Sequence, residues 1–263
     1  MRRADRGMMA GAMRLAFAYR VRFLTGAALL VAEIFLLRKI WTAVYDGQSS
    51  VDGLSLDALI VYLTLVNLQM VLMTVFVSNE MQFRIRTGRV FFDFVRPIGY
   101  PRQMFEFQLG MSGGQFILIL PAIPVALLVG SISAPAGGWA GVGYVVSVTL
   151  GYVMSVCISL IIGMAAFWTL ELGGVALLYR LVSRFFAGTM IPLTFFPGPL
   201  QTVADLLPFR YFGYVPAAIY VGVIEGTELA ETLAVQAVWV LALAGLMWLV
   251  WRRAQHRLVV QGG

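Results

Sequence analysis

Long apolar runs alternate with short polar, turn-rich or basic segments along the whole chain. Residues 23–45, 57–78, 104–130, 139–169, 184–196 and 229–251 read as six membrane spans, most of them reaching the ~20 residues a helix needs to cross a bilayer. Pro121 and Pro124 predict a kink in the third run. The fourth is long enough to tilt or to run past the membrane. Residues 1–22 predict an amphipathic interface helix, with Met9, Met13, Ala16, Phe17 and Tyr19 opposite Arg2, Arg3, Arg6, Arg14, Arg20 and Arg22. Its basic part and the apolar run after it are too long for a secretory signal, and no small-residue cleavage site follows. Residues 46–57 are turn-rich and acidic, and 131–138 form a short loop. Residues 171–184 carry Arg180 and Arg184 one turn apart, on one face of an interfacial helix leading into the fifth run. Beyond that run, Pro197, Pro199, Pro208 and Pro216 cut the chain into pieces too short to cross, the pattern of re-entrant or interfacial helices. Residues 252–263 form a basic tail.

Composition agrees with this pattern. The chain is 60% hydrophobic and 12% charged, against ~25% charged in soluble domains, and its mean hydropathy is +0.85. The solvent of much of its surface is therefore lipid, and the fold class expected is an all-α membrane protein forming a single transmembrane domain over 1–263. One cysteine, Cys157, and one histidine, His256, leave no intrachain disulfide, no metal cage and no Ser-His-Asp arrangement to build.

The net charge of +6 is unevenly placed. With the N-terminus inside and six crossings, the inner segments hold the arginines of 1–22, then Arg84, Arg86, Arg89, Arg96, Arg102, Arg180, Arg184, Arg252, Arg253 and Arg257. The outer segments hold Arg210, with Asp46, Asp52, Asp205, Glu225 and Glu228. Such a bias in short loops predicts both termini and residues 79–103 in the cytoplasm. Within the first run, Glu33, Arg38 and Lys39 lie at depth, where a charge costs ~2.5–3.5 kcal/mol on insertion scales. Glu33 either pairs with a basic side chain inside the bundle or lines a translocation path. The fourth run carries Gly143, Ser147, Gly151, Ser155, Ser159 and Gly163 four apart, a candidate helix-packing seam. On a helix of 3.6 residues per turn such a stripe drifts ~40° per step, so its partner crosses at an angle.

The segment NEMQFRIRTGRVFFDFVRPIGYPRQ, residues 79–103, is the basic stretch between the second and third runs. Thr87 reads as an N-cap, and Gly88 to Arg96 as a short helix stopping before Pro97. Val90, Phe91, Phe94 and Val95 fall on one face. Arg89, Asp93 and Arg96 fall on the other, with Asp93 in reach of both arginines. A rigidly held, two-faced helix of this kind either docks into a partner's groove or floats on anionic headgroups.

This loop resembles that of ABC-2 type transporter permeases, the membrane subunits of ATP-binding-cassette exporters, in a bacterial branch. The residues carrying the resemblance are Glu80, Arg84, Arg86, Gly88-Arg89, Phe91-Phe92-Asp93 and Val95-Arg96-Pro97. A second similarity covers Gly188, Ile191-Pro192, Phe196-Pro197-Gly198, Leu207-Pro208-Phe209 and Pro216, and a weaker one the Gln261-Gly262-Gly263 end. The resemblance implies a six-span permease of the bacterial inner membrane working as a homodimer or heterodimer on two ATPase subunits. Alternating access would be driven by ATP and Mg, which the ATPase uses and this chain does not bind. It also implies ATPase coupling through Glu80, Arg84, Arg86, Gly88, Arg89, Phe91, Asp93 and Arg96, and an interface helix over 8–19. Arg38-Lys39 departs from the family pattern.

A phosphate-binding P-loop needs a Gly-Lys-Ser/Thr turn. The single lysine, Lys39, lies between Arg38 and Ile40 in an apolar run, so ATP hydrolysis is expected of a separate chain, and no enzyme activity of this one. The alternative functions are an ion-gradient-driven secondary transporter or channel, which would carry deep charges in several runs and inverted repeats, and a membrane-embedded enzyme, which would cluster His, Asp or Glu at one depth.

Overall fold

The computed structural model describes residues 3–48, 50–51, 54–169 and 171–258. Arg2, Asp52 and the Gln261-Gly262-Gly263 end lie outside the described residues. The helices are α1 Arg3–Ala18, α2 Arg20–Tyr45, α3 Leu56–Leu72, α4 Val77–Arg86, α5 Val90–Phe94, α6 Tyr100–Ile119, α7 Ala122–Val129, α8 Gly138–Met164, α9 Gly173–Phe186, α10 Gly198–Leu206, α11 Tyr214–Tyr220 and α12 Gly226–Leu258. A hairpin of two-residue strands, β1 Ser50–Val51 and β2 Leu54–Ser55, is the only sheet among the described residues. The protein is all-α. Three stretches are long and apolar enough to cross a membrane: Leu56–Arg86, Gly138–Phe167 and Gly226–Arg257. α6 and α7 pass the same test only when taken together as one broken span, and they bend by 61°.

The break between α6 and α7 falls at Leu120-Pro121, where proline removes a backbone donor and clashes with the preceding turn. α2 has the length to cross, but Arg20, Arg22, Glu33, Arg38 and Lys39 interrupt its apolar run. Arg38 has a structural use. Its Nη1 donates to the carbonyls of Val129 (2.8 Å) and Gly130 (2.9 Å), the otherwise unpaired C-terminal end of α7. Lys39 lies over the Phe35 ring.

α3 is the centre of the bundle. Ser55 caps its start, its side chain accepting from the Ala58 N–H at 3.2 Å, and residues 59–67 are buried without interruption. Its polar side chains serve the irregular chain between α9 and α11. Tyr62 Oη donates to Gly188 O at 3.1 Å, Asn67 Nδ2 to Thr189 O at 3.2 Å, and Gln69 Nε2 to Gly213 O. Non-helical backbone inside a membrane protein needs such partners because no water is there to supply them.

α3 stops at Leu72 and the chain restarts as α4 at Val77. The freed N–H groups of Phe76 and Val77 donate to Gln108 Oε1 on α6, at 2.8 and 3.2 Å. Gln108 in turn donates to Ser112 Oγ, which bonds the Tyr152 hydroxyl of α8. α1 packs on α6 through small residues: Ala12 and Ala16 are buried, and a Cβ on Gly110 or Gly114 would strike α1. Of the expected apolar face, Ala16 is buried against α6, while Phe17 and Tyr19 are exposed.

Along α8 the small-residue ladder meets several partners in turn. All six of its members are buried. Gly143 faces Leu229 and Ile219, Gly151 faces the Tyr211 carbonyl, and Gly163 faces Ser78 and Met81. Ser147 Oγ donates to Gln236 Oε1, and Gln236 Nε2 donates to Ser147 O, both at 2.8 Å. The stripe thus winds from α12 and α11, past the 3₁₀ turn Pro208–Phe212, to α4.

Residues 184–196 do not form one continuous helix. The helix here is α9, 14 residues long, which ends at Phe186. The chain then turns through Gly188 in the left-handed conformation (φ 73°), which glycine adopts at little cost, and reaches Pro192. The apolar run was legible in the sequence, but the turn residue within it stops the helix early.

Candidate functional site

Two regions bring the candidate residues together. The first is the tip formed by α4, α5 and the start of α6. Arg84 is its hub: Nε pairs with Glu80 Oε1 at 2.6 Å, one turn earlier, and Nη1 lies 2.9 Å from both oxygens of Asp93. Arg96 Nη1 reaches Asp93 Oδ1 at 3.2 Å and Gln103 Oε1 at 3.3 Å. Gln103 Nε2 donates to the carbonyls of Asp93 (2.7 Å) and Ile98 (2.8 Å). Phe94 stacks on Trp251 of α12, which also stacks on Tyr100. Five residues are too few to hold a helix in isolation. α5 is therefore held by its neighbours: by one Arg84 nitrogen of α4 shared between both Asp93 oxygens, an amide clamp from α6 and a ring stack from α12.

The structure corrects three details of this stretch. Thr87 is not an N-cap: it ends α4, and its hydroxyl donates back to Phe83 O at 2.8 Å. The helix spans Val90–Phe94 instead of 88–96, because Gly88 takes φ 71° and breaks the chain direction. The faces are also arranged otherwise. Asp93 is 2% exposed and points inward with Val90, while Phe91, Phe92, Phe94 and Val95 are exposed, Phe92 at 75% and Val95 at 84%. Arg89 does not join Asp93 but lies over the Phe83 ring at 5.4 Å. Arg86 reaches Glu171 at 2.9 Å between exposed side chains. Coulombic attraction from Arg84, nine positions earlier, decides which face of so short a helix turns inward.

The second region is a half-open cavity of about 420 Å³ between α2, the α3–α4 break, α6 and α9. Glu33 stands in its wall, with Arg22, Asn67, Arg180 and Arg184. Arg184 Nη2 pairs with Glu33 Oε1 at 2.6 Å, both side chains partly exposed. Glu33 thus both makes a pair within the bundle and faces a cavity. Arg184, counted above with the inner segments, lies beside Glu33 in the middle of α2. Arg22 lies over Phe76, 5.7 Å from its ring centroid, at the end of the cavity nearer α4.

Sequence reasoning missed Gln103, Gln108, Asn67, Gln69, Gln236 and Trp251. The available signal was an amide inside an apolar run, which needs a buried partner. Trp251, at the end of the last run, carried no such mark. Among the described residues no group of His, Cys, Asp or Glu is placed to hold a metal ion.

A family model described as ABC-2 family transporter protein matches residues 28–262, from early in α2 to the end of the chain. No curated protein and no solved structure matches.

Proposed function

The chain belongs to the ABC-2 transporter family, and on that premise we propose that it is the permease subunit of an ATP-driven exporter, with ATP hydrolysed by a separate subunit docked on α5. The observation that carries this reading is the outward aromatic tip. Phe91, Phe92 and Val95 project from the α5 tip, and the one charged residue within that helix, Asp93, is turned inward and paired. Apolar side chains presented in this way on a rigid mount suit a groove in a partner, since hot spots of interfaces are buried aromatics. In this reading residues 79–103 and both termini are cytoplasmic, and the short pieces between α9 and α12 are re-entrant helices on the outer side. α2, α3, α6–α7, α8, α9 with the turn after it, and α12 make the six passages of one permease, and a second permease completes the transporter in the bacterial inner membrane.

α4 runs unbroken from the helix break at Met73–Phe76, which lines the cavity, to the α5 mount. Movement of the ATPase at α5 would therefore reach the cavity wall through one rigid helix. The test is purification of the tagged permease from its native membrane, with the ATP-hydrolysing partner identified by mass spectrometry through its Gly-Lys-Ser/Thr loop. Phe92→Ser with Val95→Ser changes two exposed side chains. It should leave the permease inserted and abolish co-purification. Undiminished recovery of the ATPase would refute docking on α5.

A further inference from the structure

The cavity of about 420 Å³ carries three guanidinium groups, Arg22, Arg180 and Arg184, against one carboxylate, Glu33. Glu33 and Arg184 neutralise each other at 2.6 Å. Among the described residues neither Arg22 nor Arg180 has a carboxylate within ion-pair distance. The remaining wall is mainly apolar, with Leu29, Leu30, Met70, Ile119 and Phe212. From Arg22 to Glu33 the cavity follows α2 for about 16 Å, at 1.5 Å per residue. Arg22 and Arg180 are both exposed, so two positive charges without a carboxylate stand open along this wall to an anion that enters it.

Volume and lining together suit one class of molecule. About 420 Å³ falls within the range of sites for drug-sized ligands, roughly 300–1,000 Å³, that are apolar with a few placed polar groups. Guanidinium groups recognise carboxylate, sulfonate or phosphate by charge-assisted hydrogen bonds. A cationic cargo would meet net repulsion here, and a neutral one would leave both arginines unpaired. We infer that the cavity binds an organic anion with an apolar body, its acidic head at Arg180 and Arg22 and its body along Leu30, Met70 and Phe212, and that this is the class of cargo moved. The inference rests on the permease reading. Its head-group chemistry is common to acidic membrane lipids and to soluble acidic amphiphiles.

The experiment uses the full-length permease with its co-purified ATPase in phosphatidylcholine nanodiscs. The probes are a diazirine-bearing palmitic acid and the amine of the same chain, with labelled residues mapped by mass spectrometry. The acid should label cavity residues of α2 and α9 at least roughly tenfold more than the amine, the scale of one charge-assisted hydrogen bond. Arg180→Gln, which orphans no ion-pair partner, should reduce acid labelling to the level of the amine, as should Arg22→Gln. Nanodiscs containing phosphatidylglycerol separate the sources. Competition by this lipid makes the ligand a membrane lipid, and unchanged labelling makes it a soluble amphiphile; both uphold the anion. Equal labelling by acid and amine, or acid labelling unaffected by both substitutions, overturns the inference. ATPase co-purification is measured on the same samples. Its retention beside charge-blind labelling overturns the cargo class alone, and its loss on altering α5 is a separate result.

Discussion

Replacing Asp93 with Asn keeps the shape of the side chain and removes the charge that seats α5 on α4. In the native protein Arg84 Nη1 lies 2.9 Å from each carboxylate oxygen, and Arg96 Nη1 3.2 Å from one of them. Hydrogen bonds to charged groups contribute ~1.5–3 kcal/mol each, but the full sum does not apply. Arg96 is half exposed, so its pair adds little. Arg84 retains Glu80 at 2.6 Å, and the asparagine oxygen still accepts one bond. The net loss is therefore about 1.5–3 kcal/mol, or roughly 10–150-fold in the equilibrium for unseating α5. A five-residue helix has no stability of its own to resist this. Hydrogen exchange of the purified protein should show amides 90–96 exchanging faster by about that factor, with α8 unchanged, because local opening sets exchange in such a segment. Affinity for the ATPase should fall in proportion to the seated fraction. Gln103→Leu, which removes the donor to Asp93 O and Ile98 O, should loosen the same amides. Unaltered exchange at 90–96 in Asp93→Asn would refute the clamp. Faster exchange throughout the protein would show instead that Asp93 supports the whole fold.

Three further outcomes follow from other elements. A Cβ at Gly151 would lie 2.6 Å from the backbone carbonyl of Tyr211, whereas one at Gly143 would meet the flexible end of Leu229 at 2.9 Å. Gly151→Val should therefore lower thermal stability by about 1–3 kcal/mol or more, and Gly143→Ala should cost far less; equal melting temperatures for the two would contradict the backbone contact. Arg38→Gln removes the donor from Val129 O and Gly130 O. It should destabilise the α7 end by about 1.5–3 kcal/mol, read as faster exchange there and a lower melting temperature. Orientation is tested in a Cys157→Ser background. Cysteine at Ser50, exposed in β1, should react with a membrane-impermeant maleimide outside intact cells, and cysteine at Thr87 should not. Thr87 suits this better than its neighbour Gly88, whose left-handed backbone a side chain would strain. The reverse labelling pattern would invert the topology.

Local signals read well where the relevant physics is local. The proline at 121 marked the α6–α7 break, and the amphipathic start of the chain marked α1. The basic stretch 79–103 was visible as the charged gap between apolar runs. Its internal geometry was not, because Thr87 and Gly88 suit a helix start in sequence but end one in the fold. The fifth apolar run was visible too, yet its helix ends at Phe186, as a glycine permitted a turn that hydropathy cannot register.

Composition and periodicity alone determined that the solvent is lipid and that the chain is all helix, because the apolar excess and run lengths are sums over the sequence. They also showed where the charge lies and that one His and one Cys leave little scope for metal chemistry. Only the tertiary structure decided how those charges are used. Glu33 finds Arg184 across 151 positions, Arg38 finds the end of α7 across 91, and Asp93 turns inward to Arg84 and leaves the aromatic side chains of α5 outside. The reason is that a charge pairs with whichever partner packing brings within ~4 Å, and that distance is set by helix crossings and turns far away in the chain.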